Sequence, residues 1–454
     1  MDPLEAAAEA AVAYARSIDA RDAAPCRGAL DGLAAFDEAL PDAGRGVEET
    51  LRLLDAAGSP ATIASTGGRY FGFVIGGAHP AALGAAWLAD AWDQNAALPA
   101  MSPVAARLYD ITRAWLLDLL GLPASAGVAF VTGATVANAT GLAAARDALL
   151  AREGWDVQSD GLFGAPPITV VVGARAHSTL SKSLGLVGLG RDRVHVVPAD
   201  DQGRMVATDL PAATGPVLVC AQAGEVNTGA FDPFDAIADW AAERRAWLHV
   251  DGAFGLWALA DPTRGHLVRG LARADSWATD AHKWLNVTYD SGIAFVRDAG
   301  DLRRTFAASA GYLPPDVGFE AMHHTPQSSQ RARQVEVWAV LRALGRSGVA
   351  ELVQGSCDAA ALIATRLGEG GLEVVNDVVL NQVLVRLGGP AGGLTEALVE
   401  AVQADGRIWC GPTVWQGATA MRVSVSSWRT DLEEAARAAE VILECAARVR
   451  AGGA

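Results

Sequence analysis

From Gly127 onward the chain alternates between two textures. Short, largely continuous apolar runs, GVAFVT, PITVVVG, RVHVVP, PVLVCA, AWLHVD, SWATD and GIAFVR, recur along it. Between several of them lie longer stretches, VANATGLAAARDALLAR, HSTLSKSLGLVGL and DPFDAIADWAAERR, whose apolar positions repeat at helical spacing. A short run that is apolar throughout suits a strand covered on both faces. Such strands alternating with amphipathic helices predict a mostly parallel α/β sheet with helices on both sides. Asp232, with Pro233 behind it, is expected to cap the last of these helices.

The flanks differ. The first sixty residues read as alanine-rich helices interrupted at Pro25, Pro41 and Gly58-Ser59-Pro60, and STGGRYFGFVIGG (65–77) reads as loop or extended chain. A helix is expected from Pro80 to about Asp93. Another starts at Ser102-Pro103, with Ser102 as N-cap, Pro103 at the first helical position and Gly121 just past the end. Beyond about residue 330 helices dominate, followed by three shorter β-like runs (EVVN, NQVLVRL, AMRVSVSSW) and a final helix from Asp431. The expected organisation is a helical segment 1–60, a large α/β domain 61–330 and a smaller α+β domain 331–454.

Composition narrows the class. In 454 residues, 51% hydrophobic and 19% charged residues fit a compact globular chain rather than a disordered one. The net charge of −16 argues against a nucleic-acid surface, which needs clustered Lys and Arg. Five widely spaced cysteines with no C-x-x-C pair disfavour a zinc or dithiol site and suggest reduced thiols in the cytoplasm. The N-terminus is acidic at its start, without the basic region or cleavage site of a signal peptide. Charged residues or glycine interrupt every candidate membrane span. A cytoplasmic protein without membrane contact is expected.

In a parallel α/β sheet, ligands bind beyond the carboxyl ends of the strands. The polar residues found there are Thr132 to Thr135, His177, Gly224 to Asn227, Asp251, and Thr279 to Lys283. TGAT ends a strand and opens a helix, whose free N–H groups, dipole and threonine hydroxyl suit an anion. It is not a P-loop, and no G-x-G-x-x-G follows a strand, so nucleotide triphosphates and dinucleotides are disfavoured. Asp251 is a partly buried carboxylate that requires a partner, which a protonated pyridine nitrogen supplies. Ala253 is small enough to lie against a flat ring, and His177 is placed to stack on its other face. Lys283, at a strand end, is suited to forming an imine with an aldehyde. Phosphate, pyridinium, aromatic plane and aldehyde together describe pyridoxal 5′-phosphate.

The ordered set GATVAN, AHSTLSKS, GEVNTGAFDP, HVDGAFG and ATDAHKW resembles the group II pyridoxal-phosphate-dependent amino-acid decarboxylases, over roughly residues 60–430. The resemblance implies the type I aminotransferase-like fold and a homodimer with shared active sites. It also implies Lys283 as the Schiff-base lysine and His282 as its phosphate-side neighbour. Asp251 would sit at the pyridine nitrogen, with Ala253 under the ring and His177 stacked over it. Asn227 would lie near the 3′-oxygen or the substrate carboxylate. Ala134 and Thr135 would bind phosphate, with Thr279 joining them. RYFGF, containing Phe71, and QNAALPAMSP look like substrate-pocket segments of the family, and Arg422 like the arginine that meets a substrate acid.

One feature departs from the family pattern. The mobile loop of these enzymes carries a tyrosine that protonates the carbanion after carbon dioxide leaves. In ASAGYLPPDVGFEAMHHTPQSSQRARQ the matching region holds His323 and His324 but no tyrosine, and Tyr312 lies too early. His324 is the favoured acid, being near neutrality in ordinary pKa. The absent tyrosine, with Phe319 in the loop, keeps open an oxygen-consuming aldehyde synthase, and an aminotransferase remains a further alternative. Decarboxylation of an L-amino acid to the amine is the expected reaction.

Overall fold

The structure, a computed structural model, describes residues 2–308, 320–389 and 393–452. The chain forms two compact units, one of Ala78–Asp358 with Asn376–Gln382, the other of Met1–Gly77, Ala359–Val375 and Val383–Ala454.

The first unit is built on a seven-stranded sheet. Its strands are β1 (Gly127–Val131), β2 (Thr169–Gly173), β3 (Val194–Val197), β4 (Val217–Gln222), β5 (Trp247–Asp251), β6 (Ser276–Asp280) and β7 (Gly292–Val296). Every apolar run singled out above became one of them. The order is β1-β7-β6-β5-β4-β2-β3. Strands β3, β2, β4, β5 and β6 pair in parallel, while β7 is antiparallel to both β6 and β1. All strands but β7 therefore point their carboxyl ends to one edge.

Side chains alternate between the two faces of a strand, and both faces are covered. Val170, Val172, Leu218 and Trp247 pack with Leu142, Ala144, Ala145 and Ala148 of helix α1 (Ala134–Arg152) and with Leu180 and Leu184 of helix α2 (Ser178–Leu186). The alanines let α1 approach the sheet closely, which fixes where its N-terminus lies. Strand β3 is the exception, an edge strand with Val196 53% exposed.

Local expectations fare unevenly. Ser102 caps Pro103–Leu119, accepting from Ala105 N at 3.3 Å, and Gly121 follows with φ 60°. Asp232 does not cap helix α3 (Phe234–Arg244); Pro233 holds that position without a side-chain bond. The Asp232 carboxylate instead ties two segments together, accepting from Met205 N and Gln222 N at 2.7 Å each.

Burial pushes the Asp232 carboxyl up to about 6 from an ordinary 3.8. Between those values the folded chain holds this proton more tightly than the unfolded one, so its contribution to stability falls as pH rises through that window. The loss amounts to roughly 3 kcal/mol. An Asp232→Asn variant lacks this titration and leaves one of the two N–H groups unpaired. The stability of wild type minus variant, from urea unfolding, is expected to decline between pH 4 and 6 and level off above.

In the second unit, strands β8 (Glu373–Val374), β9 (Gln382–Arg386), β10 (Gly411–Trp415) and β11 (Ala418–Ser424) form a sheet of order β10-β11-β9-β8. Helices Thr395–Asp405 and Leu432–Gly452 pack together there. At Gly58-Ser59-Pro60, where a break is expected, the backbone stays helical as far as Ala61 and turns extended at Thr62.

Candidate active site

The carboxyl edge of the sheet opens into a cavity of 360 Å³. Thr132 and Gly133, between β1 and α1, line it together with Ala134, Thr135 and Val136 of the helix's first turn. His177 and Thr179 come from the start of α2, and Gln222, Gly224 and Val226 from the end of β4. Asp251, Ala253 and Phe254 follow from β5, and Asp280, His282 and Lys283 from β6. Seven of the expected residues meet here: Ala134, Thr135, His177, Asp251, Ala253, His282 and Lys283.

The approach of β7 to the α1 N-terminus depends on glycine. A Cβ on Gly292 would lie 2.4 Å from Gly133 Cα, so β7 has no room for one there. That contact sets the exposed N–H groups of α1 beside the end of β6.

Asp280 joins the two halves of this corner, a partnership the sequence did not reveal. Its Oδ1 accepts from Ala134 N at 2.5 Å, and its Oδ2 lies 3.1 Å from Lys283 Nζ. Asp280 is buried, and the Lys283 side chain is 21% exposed. One carboxylate thus balances both the positive helix end and the lysine. Removing it leaves an unpaired amide and an unpaired ammonium. Asp280→Ala is expected to destabilise the cofactor-free protein by about 3 kcal/mol in denaturant unfolding, and by less in a Lys283→Ala background.

Asp251 is 4% exposed and accepts from Ala253 N at 3.2 Å. Burial pushes its carboxyl above the usual range, while positive charge at His177 and Lys283 and the nearby Asn138 amide pull the other way. Such a group calls for a cationic or proton-bearing partner. His177 caps α2, with Nδ1 accepting from Thr179 N at 3.3 Å, and it lines the cavity. His282 accepts from Ser291 N through Nδ1 at 3.1 Å and stacks on Tyr289 at 4.2 Å. Burial lowers its pKa against the pull of Asp280. A neutral ring with Nδ1 accepting carries its hydrogen on Nε2, the nitrogen 3.6 Å from Asp280 Oδ1.

Other expected residues lie off the cavity. Asn227 is bound to Glu225, donating to it through backbone N (2.6 Å) and Nδ2 (2.9 Å), and its neighbour Val226 lines the wall. Thr279 is fully buried inside β6. His323 and His324 are buried. His323 accepts from Ala308 N and meets Glu320 Oε2 at 3.0 Å, whereas His324 donates through Nδ1 to the Glu320 carbonyl at 2.9 Å. Neither lines the cavity. Tyr312 and Phe319 lie outside the described residues. Phe71 and Arg422 belong to the other unit. There Phe71 is fully buried, with Phe73 64% exposed nearby in sequence, and Arg422 is a half-buried residue of β11.

An amine, a buried carboxylate, a histidine and a small alanine on the cavity lining, and a helix N-terminus make a donor set that fits pyridoxal 5′-phosphate. The family model described as pyridoxal-dependent decarboxylase conserved domain matches residues 62–387, and the chain belongs to that family. Its relatives include the acidic amino acid decarboxylase GADL1 of Mus musculus, 29% identical over 299 residues, covering 63% of this chain and 54% of that protein. L-2,4-diaminobutyrate decarboxylase of Rhizobium meliloti (strain 1021) is 34% identical over 294 residues, covering 61% and 55%. The chain thus spans little more than half the length of these curated relatives. Among solved structures, Oryza sativa TDC with PLP and tryptamine superposes with a TM-score of 0.90 at 23% identity, covering 98% of this chain and 97% of that one. That likeness establishes the type I fold expected from the sequence. No helix among the described residues is long and apolar enough to cross a membrane, and no group of three or more His, Cys, Asp or Glu residues among them could hold a metal ion.

Proposed function

We propose that this chain is a pyridoxal-phosphate-dependent carboxy-lyase that removes the α-carboxylate of an L-amino acid as carbon dioxide and releases the amine. The observation that carries this reading is the convergence of Lys283, Asp251, His177 and the α1 N-terminus on one cavity. When bound, the cofactor supplies the electron sink that accepts the pair left by the departing carboxylate.

The chain's own residues do the rest. Lys283 would hold the cofactor through its aldehyde carbon, with Asp280 Oδ2 3.1 Å from its Nζ. Asp251 takes the ring nitrogen and keeps its proton in place. Ala253 and His177 bound the ring's two sides, and His177 also orients the substrate carboxylate. The Thr135 N–H and hydroxyl and His282 Nε2–H would receive the phosphate, beside Ala134, whose own N–H is held by Asp280 Oδ1. Phe254 narrows the wall and helps exclude water. For the proton returned to the α-carbon, Lys283 is better placed than His324, because Lys283 lines the cavity and His324 is turned to Glu320. Phe71, Asn227, Thr279 and Arg422 are assigned to the substrate side or to the support of these groups. A cytoplasmic homodimer with shared sites completes the reading, and 1–60, 61–330 and 331–454 are its proposed domains.

The test uses full-length protein supplied with the cofactor and a panel of carboxyl-labelled L- and D-amino acids. Labelled carbon dioxide from at least one L-enantiomer, and none from its mirror image, supports the reading. Complete absence of release with every substrate, from protein that has bound the cofactor, contradicts it.

A further inference from the structure

Strand β5 carries a titratable side chain that the proposed chemistry leaves unused. His249 sits two residues before Asp251, on the same face of the strand, and is fully buried. Burial drives its pKa down to about 3, so the ring is neutral. Its Nε2 lies 2.8 Å from Asn138 Oδ1 on α1, and its Nδ1 lies 2.8 Å from Ser276 Oγ on β6. Ser276 Oγ in turn is 2.8 Å from Trp247 Nε1.

Every hydrogen in this chain of contacts can be assigned. An indole N–H only donates, so Ser276 accepts from Trp247 and donates to His249 Nδ1. The neutral ring then carries its hydrogen on Nε2 and donates to Asn138 Oδ1. The Asn138 amide is pinned by its oxygen, and its Nδ2–H groups lie near enough to Asp251 to favour the ionised carboxylate without closing a hydrogen bond on it. Asn138 is fully buried, and Nδ2 closes no hydrogen bond on any atom, Asp251 included, so it is a buried donor still to be satisfied. Room for the His249 ring comes from Gly141, one turn after Asn138: a Cβ there would lie 3.0 Å from His249 Cε1 and 3.3 Å from Ser276 Oγ.

We propose that Asn138, fixed by His249, Ser276 and Trp247, is a positioning residue that sets the orientation and charge of Asp251 toward the cofactor's ring nitrogen. The inference rests on the reading that Asp251 takes that nitrogen. A buried carboxylate shares a proton with a ring nitrogen according to how well its own charge is stabilised. Without the amide donor it holds the shared proton more tightly, and the nitrogen loses it.

The experiment loads wild type and variants with pyridoxal 5′-phosphate labelled with ¹⁵N in the ring. It records the ring-nitrogen NMR shift, cofactor Kd and melting temperature of each. Asn138→Leu keeps the volume and removes the donor. Its cofactor Kd is expected to rise about tenfold, with the ¹⁵N signal moving from pyridinium toward neutral pyridine. Gly141→Ala, which displaces His249 and leaves the amide in place, is expected to move the signal the same way by less.

An unchanged shift in loaded Asn138→Leu, whatever its melting temperature, would overturn the proposal and make the chain a packing feature. If that variant does not fold, an unchanged shift in Gly141→Ala overturns it. A different result marks failure of the underlying reading: Asp251→Asn that binds cofactor with the wild-type shift removes Asp251 from the ring nitrogen altogether.

Discussion

Lys283→Ala is expected to lose carbon dioxide release by at least about 10³-fold, together with the covalent attachment of cofactor. Wild-type protein incubated with pyridoxal 5′-phosphate and reduced with borohydride should gain the mass of one cofactor on the peptide containing Lys283. The variant should gain none. The size of the loss follows from geometry, because Lys283 is the lysine lining the cavity, and its nearest charged partner is an acceptor, Asp280. Arginine does not rescue it, since a guanidinium is neither nucleophilic nor able to shed its charge. A variant that retained the reduced adduct elsewhere and turned over normally would remove Lys283 from the chemistry.

Asp251→Ala carries the second large effect. The residue is the last of β5, buried, with Ala253 N as its hydrogen-bond donor. Deleting one partner of a buried charge pair costs about 3–5 kcal/mol, or roughly 10²–10⁴-fold. That loss should appear in carbon dioxide release and in cofactor affinity together, because the ring nitrogen both anchors the cofactor and must hold its proton. Asp251→Asn preserves shape and accepts one hydrogen bond but carries no charge. It should recover affinity more than turnover. Equal recovery of both would make charge at this position irrelevant.

The strands were legible because the sheet is covered on both faces. GVAFV, WLHVD and GIAFV read as continuous apolar runs, and the structure buries every residue of each. The site followed from the same fact: polar residues that interrupt such runs at one end gather on one edge. Strand β10, GPTVW, was not foreseen, because it is half exposed and begins beside a proline. Asp232 was misread for a physical reason as well. Asp before Pro at a helix start is a capping signal, and only the fold brings Met205 N and Gln222 N to compete for that carboxylate.

Partnerships across the sheet stayed hidden. Asp280 and Ala134 are 146 residues apart, and Asn138 and His249 are 111 apart. No local pattern links them. The single local hint was the i,i+3 spacing of Asp280 and Lys283 in TDAHKW, which places a carboxylate within reach of the amine. The loop acid was also beyond sequence reasoning. Two adjacent histidines look alike on paper, and the structure shows each committed to Glu320 by a different ring nitrogen.

The central claim is that carbon dioxide leaves and a proton takes its place. The measurement that tests it most directly is a product balance under air, with carbon dioxide, amine, aldehyde, keto acid and peroxide quantified from one reaction of cofactor-loaded protein with its best L-amino acid. The account predicts amine and carbon dioxide in equal amounts with no peroxide. Aldehyde matched by peroxide, or a keto acid that keeps its carboxylate, would contradict it.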